Sequence, residues 1–184
     1  MNTELNLGDI PDLSAFAEDT SSEPWTDGWY QGTIQEQRTF VDRNGNDQVF
    51  QSSDAPSANG DSRNIRLQVE IKRTDGRTLN TNTLVNYRPE DLTQETVQAV
   101  SKRREESGDA MGDLFRPFIT LTRLAKLGKI AGGRQLQRNG NGGLDLTPLY
   151  GKSAYFRLKD DDRNPQYKQI ADFRHDAPKR ARVL

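Results

Sequence analysis

Leu149-Tyr150-Gly151-Lys152-Ser153-Ala154-Tyr155-Phe156-Arg157-Leu158-Lys159, followed by an acidic turn and a second alternating run over residues 166–174, is the stretch whose reading decides the fold. A period of two marks a strand with unlike faces: Ala154, Phe156 and Leu158 are expected to pack, and Tyr155, Arg157 and Lys159 to face outward. The link Asp160-Asp161-Asp162-Arg163-Asn164-Pro165 joins the two runs as a β-hairpin, entered through the turn at Gly151-Lys152. An aromatic between two cations on an open face suits single-stranded nucleic acid, because bases stack on rings and phosphates meet Lys or Arg.

Upstream, the chain is rich in strands with helices in its middle. Residues 29–41 are expected to form one long strand with Tyr30, Gly32 and Ile34 on one face and Trp29, Gln31 and Thr33 on the other. Gly32 marks a bend or a close backbone approach. Residues 42–62, crowded with Asn, Asp, Ser and Gly, predict a loop with a tight turn at Asn44-Gly45 and a short extended piece at 48–51. The cleanest alternation runs over 64–72, with Ile65, Leu67, Val69 and Ile71 inward and Arg66, Gln68, Glu70 and Lys72 outward. Asp75-Gly76 supplies a hairpin turn, and residues 77–85 return as the partner strand.

The period then changes. Pro89 with Glu90 and Asp91 suits a helix start, predicting a helix over 89–107 with a thin apolar face. Residues 112–128 predict a second, in which Leu114, Phe118, Leu121 and Ala125 recur at helical spacing beside Phe115, Ile119 and Leu124. Pro117 lies near enough to its start to be tolerated. A Gly- and Asn-rich loop over 131–143 leads back to the opening hairpin.

Composition excludes several classes. The 184 residues suit one domain with tails, and a hydrophobic fraction of 32% leaves much of the chain as loop, tail or exposed sheet. Without Cys there is neither a disulfide framework nor a thiolate zinc site. No secretory signal and no membrane-spanning stretch is evident, so a cytoplasmic location is expected. The formal charge of -1 conceals a segregation: residues 1–28 hold seven Asp or Glu and no Lys or Arg, while the rest carry 26 basic and 20 acidic side chains. Residues 1–27 are therefore expected to be an acidic, disordered leader, or alternatively an intramolecular competitor for a DNA surface. Residues 176–184 form a basic tail.

Three strands, a helical insertion at about 88–149 and two further strands describe a mainly β chain, an OB-fold five-stranded Greek-key barrel over 28–175. Gly28-Trp29-Tyr30-Gln31-Gly32-Thr33-Ile34, the Asp75-Gly76 hairpin, the helical segment from Leu121 to Gly128, and Leu149-Tyr150-Gly151-Lys152 together resemble the phage-encoded single-stranded DNA-binding proteins of replication and recombination. The resemblance implies a non-catalytic protein that coats single-stranded DNA in the cytoplasm of the host cell and needs no cofactor. Other replication or recombination proteins and further copies of the chain remain open as partners, and no membrane is involved. The alternative is a phage structural or assembly protein that uses an OB-like barrel to bind other proteins.

Catalytic and metal motifs fail on chemistry. Gly151-Lys152-Ser153 lacks the earlier glycine of a phosphate loop, since position 146 is Leu. Asp160, Asp162 and Asn164 mimic a calcium loop, but Pro165 stands where Gly is required and Ala171 where a bidentate Glu belongs. His175 is the single histidine. Among Trp25, Trp29, Tyr30, Phe40, Tyr87, Tyr155, Tyr167 and Phe173, core packing is the usual fate of each ring. Trp29, Tyr155 and Tyr30 are the stacking candidates, while Phe115, Phe118 and Phe156 belong to the core. Arg66, Lys72, Arg157, Lys159 and Lys168 are the candidate phosphate contacts, and Lys102-Arg103-Arg104 reads as a solvated helix face.

Overall fold

A computed structural model describes residues 24–42, 44–165 and 167–178. The expectations for residues 1–23 and 179–184 lie outside them. In chain order the elements are β1 (Gly28–Gln35), β2 (Gln37–Val41), β3 (Asp47–Gln51), β4 (Ser53–Pro56), β5 (Arg63–Lys72) and β6 (Thr78–Tyr87). Helices α1 (Gln94–Ser107) and α2 (Phe115–Ile130) follow, then β7 (Ser153–Asp160) and β8 (Lys168–Arg174).

The molecule is mainly β and antiparallel. β1 is central, pairing with β7 from Gly28↔Leu158 to Thr33↔Ser153 and with β5 from Gly32↔Ile71 to Gln35↔Gln68. β6 pairs with β5 along its whole length, and β8 pairs with β7. Alternation works as the sequence implies: Ile65, Leu67, Val69 and Ile71 of β5 and Ala154, Phe156 and Leu158 of β7 are buried on one face. At Gly32 the backbones approach so closely that a Cβ would lie 2.9 Å from Ile71 Cγ1 and 3.0 Å from Phe156 Cδ2. Gly76, in the β5–β6 turn, has φ of +84°, which glycine adopts without a steric penalty.

The sheet does not close into a barrel by strand pairing. β6 and β8 come near each other without pairing, and α2 packs against both, lending Leu127 and Ile130 to the core. Lys126 on α2 reaches Asp172 on β8 at 2.6 Å. Helix side chains thus cover the region where a closing ladder would run.

The first strand is shorter than its composition implies. It stops at Gln35, and residues 37–51 fold back as a separate two-stranded ribbon of β2 and β3, from Gln37↔Gln51 to Val41↔Asp47. The strand-like sequence continues past Glu36, but its partner changes. The segment expected mainly as loop holds β3, where a short extended piece was expected at 48–51, and also β4, which was not expected and pairs with β5 from Ser53↔Arg66 to Pro56↔Arg63.

Ser52 joins these pieces. Its N–H donates to the Glu36 carbonyl at 2.7 Å, its hydroxyl donates to the Gln35 carbonyl at 2.6 Å, and the Gln68 N–H donates to that hydroxyl at 2.8 Å. Gln35 faces Gln68 and Ser53 faces Arg66, so Ser52 stands where the partner of Leu67 belongs. β1 and β4 thus line one side of β5 as a continuous ladder from which the ribbon departs. This crossing also buries Gln68, expected outward, and leaves its Oε1 without a hydrogen bond.

A buried carboxylate ties this edge to the rest. Asp54 accepts from Arg63 Nε at 2.9 Å, from the Tyr87 hydroxyl at 2.6 Å and from the Leu144 N–H at 2.6 Å. Burial first, then the hydrogen bond to Asp54, raises the Tyr87 pKa well above its ordinary value. One side chain thereby links β4, β5, β6 and the loop after α2.

The helices depart only in detail. A 3-10 turn over Pro89–Leu92 precedes α1, whose Thr93 cap accepts the Thr96 N–H at 3.2 Å. Another 3-10 turn over Gly112–Leu114 precedes α2. Phe115, expected in the core, is 57% exposed. It stands two residues, about 200° of helix, from Pro117, which starts the buried stripe of Pro117, Thr120, Leu127 and Ile130. Trp25 and Asp27, reckoned with the leader, are held by the domain: Trp25 packs edge-on against Tyr30 at 5.3 Å, and Asp27 pairs with Lys168. Among the described residues no helix is long and apolar enough to cross a membrane.

Candidate nucleic-acid interface

The faces of β1, β7 and β8 turned away from the core bring several predicted residues together. Register places Trp29 opposite Arg157, Gln31 opposite Tyr155, and Tyr155 opposite Arg174. Trp29 and Tyr155 are half-buried, with Arg157 exposed between neighbouring strands. Arg174 lies over the indole of Trp29, its guanidinium carbon 4.3 Å from the ring centroid. Beside this group Gln31, Thr33, Glu70, Lys72 and Ser153 line a shallow depression of about 220 Å³. One continuous face therefore offers two ring systems, two guanidinium groups and a lysine.

Tyr30 does not join them. Sharing the inward face with Gly32 and Ile34, it is 6% exposed, and its hydroxyl donates to the Thr26 carbonyl at 3.0 Å. Its ring is therefore part of the core, a correction to its expected stacking role.

The predicted cations differ in what occupies them. Lys168 is held between Asp27 and Asp160, each at 2.6 Å, with its side chain only 13% exposed. Burial alone would lower the Lys168 pKa, but the hydrogen bonds it donates to Asp160 and Asp27 outweigh it and the net shift is upward. The hydrogen bond from Lys168 in turn lowers the Asp27 pKa. Lys159 pairs with Asp162 at 3.0 Å and Lys72 with Glu70 at 3.1 Å, both partly open to solvent. Exposed pairs of this kind are worth little and exchange readily for other anions. Arg66 is exposed near the ribbon end of β5, opposite Ser53 and Leu84.

Sequence reasoning missed a second aromatic group. On the ribbon, Phe40 and Phe50 stack with centroids 4.9 Å apart and planes 8° from parallel. The Arg38 guanidinium lies 5.3 Å from the Phe50 centroid and 5.9 Å from that of Phe40. Both rings remain over one third exposed, and Val41 and Val49 are more exposed still. The ribbon turn is held by Asp42, which accepts the N–H groups of Asn44 and Asn46 at 2.8 and 3.0 Å. Those bonds lower the Asp42 pKa. Alternation of Arg38 with Phe40, and of Gln48 with Phe50, was the available signal; Arg174, also missed, follows no such regular alternation, because β8 shifts register before it.

Tyr167, 64% exposed, stands in the β7–β8 turn, and Tyr87 and Phe173 are buried. Among the described residues no cluster of His, Cys, Asp and Glu is arranged to hold a metal ion. No protein-family model matches the chain, and no curated protein is found to match it as a relative.

Proposed function

We propose that the chain binds and coats single-stranded DNA with little sequence preference, in the manner of the phage-encoded proteins its sequence resembles, and that it is not an enzyme. The observation that carries this reading is the outward group of Trp29, Tyr155, Arg157 and Arg174 on adjoining strands. Rings stack bases of any identity and guanidinium groups meet phosphates, which yields binding without base-edge readout. Arg174 already rests on Trp29, so an incoming base would displace the guanidinium from the indole or stack against it, leaving the cation beside the phosphate backbone.

The strand adjacency supports an OB-like reading. β1 pairs with β5 and β7, β5 with β6, and β7 with β8, while α2 lies between β6 and β7 in the chain. With β5 to β8 standing as the second to fifth strands, the ribbon and β4 occupy the first loop and Tyr167 the last. Those two loops and the sheet between them are where such folds receive oligonucleotides, and the OB barrel itself is only partly closed. The ribbon and the Tyr167 turn flank opposite ends of β1, with Trp29 and Tyr155 between.

Exposed Phe40 and Phe50 on one ribbon face and Val41 and Val49 on the other favour a second reading, a protein-binding module in phage assembly. Fluorescence anisotropy with oligo-dT and with duplex DNA at two salt concentrations separates the two. Preference for the single strand, weakened by salt, is expected from phosphate neutralisation. Absence of binding at low salt would sink the DNA reading and leave the protein-binding one.

A further inference from the structure

A groove of about 560 Å³ runs between α1, α2 and the loop that follows α2. Its floor is aliphatic and aromatic, formed by Val97, Val100, Phe118, Leu121, Leu124 and Leu136. Its rim holds Arg104, Lys129, Arg134 and Arg138, and no Asp or Glu is among the described residues that line it. All four cations are exposed, and no ion pair engages any of them among the described residues. An apolar trough whose charged rim residues are all basic fits a peptide that is at once apolar and acidic.

We propose that the groove is the docking site of the chain's own leader, residues 4–19. That segment reads Glu-Leu-Asn-Leu-Gly-Asp-Ile-Pro-Asp-Leu-Ser-Ala-Phe-Ala-Glu-Asp and sets Leu5, Leu7, Ile10, Leu13 and Phe16 among five carboxylates with no cation. Ile10, Leu13 and Phe16 supply apolar anchors for the floor, and Asp9, Asp12, Glu18 and Asp19 complement the rim. The described chain begins at Pro24, so 23 residues precede it. At about 3.3 to 3.6 Å per extended residue they reach about 76 to 83 Å, well beyond the width of a domain of this size. Nucleic acid is a poorer occupant, because Phe118 is the one ring among the described residues that line the groove, and the rest of the floor is aliphatic where bases want flat rings. The inference is independent of the DNA-binding reading and assigns the helical insertion a role of its own.

The chain has no cysteine, so Ser14→Cys in the full-length protein gives a single thiol for a nitroxide label. Amide signals of Val97, Val100, Leu121 and Leu124 are expected to lose most of their intensity, and those of Trp29 and Tyr155 to keep theirs. Combining Arg134→Glu with Arg138→Glu should restore the groove signals without changing the far-UV circular dichroism. The proposal is overturned if the groove signals keep their intensity, if the charge reversals leave the loss unchanged, or if the loss falls on the β1–β7 face. Mixing labelled chains with unlabelled, isotopically enriched ones gives a further outcome: loss in the enriched chains would assign the groove to a second copy's leader and overturn the intramolecular docking.

Discussion

Among the described residues two pairs of aromatic rings face outward, and their support is opposite in kind. Trp29 and Tyr155 stand on neighbouring strands of a six-stranded sheet whose other face carries Ile71, Ala154 and Phe156. Phe40 and Phe50 stand on a two-stranded ribbon and are supported chiefly by each other and by Arg38. A lone two-stranded unit is marginally stable in water, so the ribbon rings hold their geometry at greater entropic risk than the sheet rings do. The difference separates a platform braced by a core from an arm braced chiefly by its own side chains.

Breaking the frame beneath the platform has the largest expected effect. Asp54→Ala strands the Arg63 guanidinium and the Tyr87 hydroxyl in a buried place, at a cost of about 3 to 5 kcal/mol. Urea denaturation should register that loss, and oligo-dT binding should weaken with it as the fold fails. A midpoint close to that of the parent would mean that Asp54 is not the tie described.

Gly32→Ala comes next. Its methyl would meet Ile71, Phe156 and the Glu70 carbonyl oxygen at 3.0 Å or less, overpacking worth about 1 to 3 kcal/mol. The damage should concentrate on the platform, read as a change in the fluorescence of Trp25 and Trp29 with little effect on the ribbon. Unaltered stability would contradict the tight approach of β1 to β5.

The two ring pairs can then be compared directly. Tyr155→Ala and Phe50→Ala are each expected to weaken oligo-dT binding by about 1 to 3 kcal/mol if each stacks one base, roughly 5- to 150-fold. Only Tyr155→Ala should lower the thermal midpoint appreciably, because only Tyr155 has a core behind its strand. A loss of affinity confined to one of the two would assign the DNA to that region alone.

The smallest effect concerns pH. Asp27 is exposed, and the hydrogen bond from Lys168 lowers its pKa. The stability it contributes is present above the ordinary carboxylate value of 3.8 and fades as pH falls through the lowered value of the folded state. Thermal melts of parent and Asp27→Asn should differ slightly near pH 6 and converge below pH 3.8. A difference that persists to lower pH would place its origin elsewhere.

The platform was more legible in sequence than the arm for a physical reason. Period-two alternation reports which side of a strand is buried, and it located Ile65 to Ile71 and Ala154 to Leu158 correctly. It also assigned Tyr30 to the side that proves to be core, though the ring was still considered for stacking. Alternation does not report which strand lies alongside. Residues 29–41 therefore read as one strand although the pairing partner changes at Glu36. Gln68 was misjudged because Ser52, distant in sequence, crosses it. Arg174 was obscured by the irregularity between Arg157 and Leu158, which shifts the register of β8 just before it faces Tyr155. Lys168 has the composition of a phosphate contact, and its two carboxylate partners come from Asp27 and Asp160, one of them far away along the chain.

The seam at Ser52 makes the ribbon a removable module. Excising residues 36–51 would join Gln35 to Ser52 with the pairing to Gln68, Leu67 and Arg66 in unbroken succession and the inside-outside order intact. The sheet keeps no record of how long the excursion is. The seam is an open port where arms of other lengths and chemistries can be grafted while the platform below stays the same.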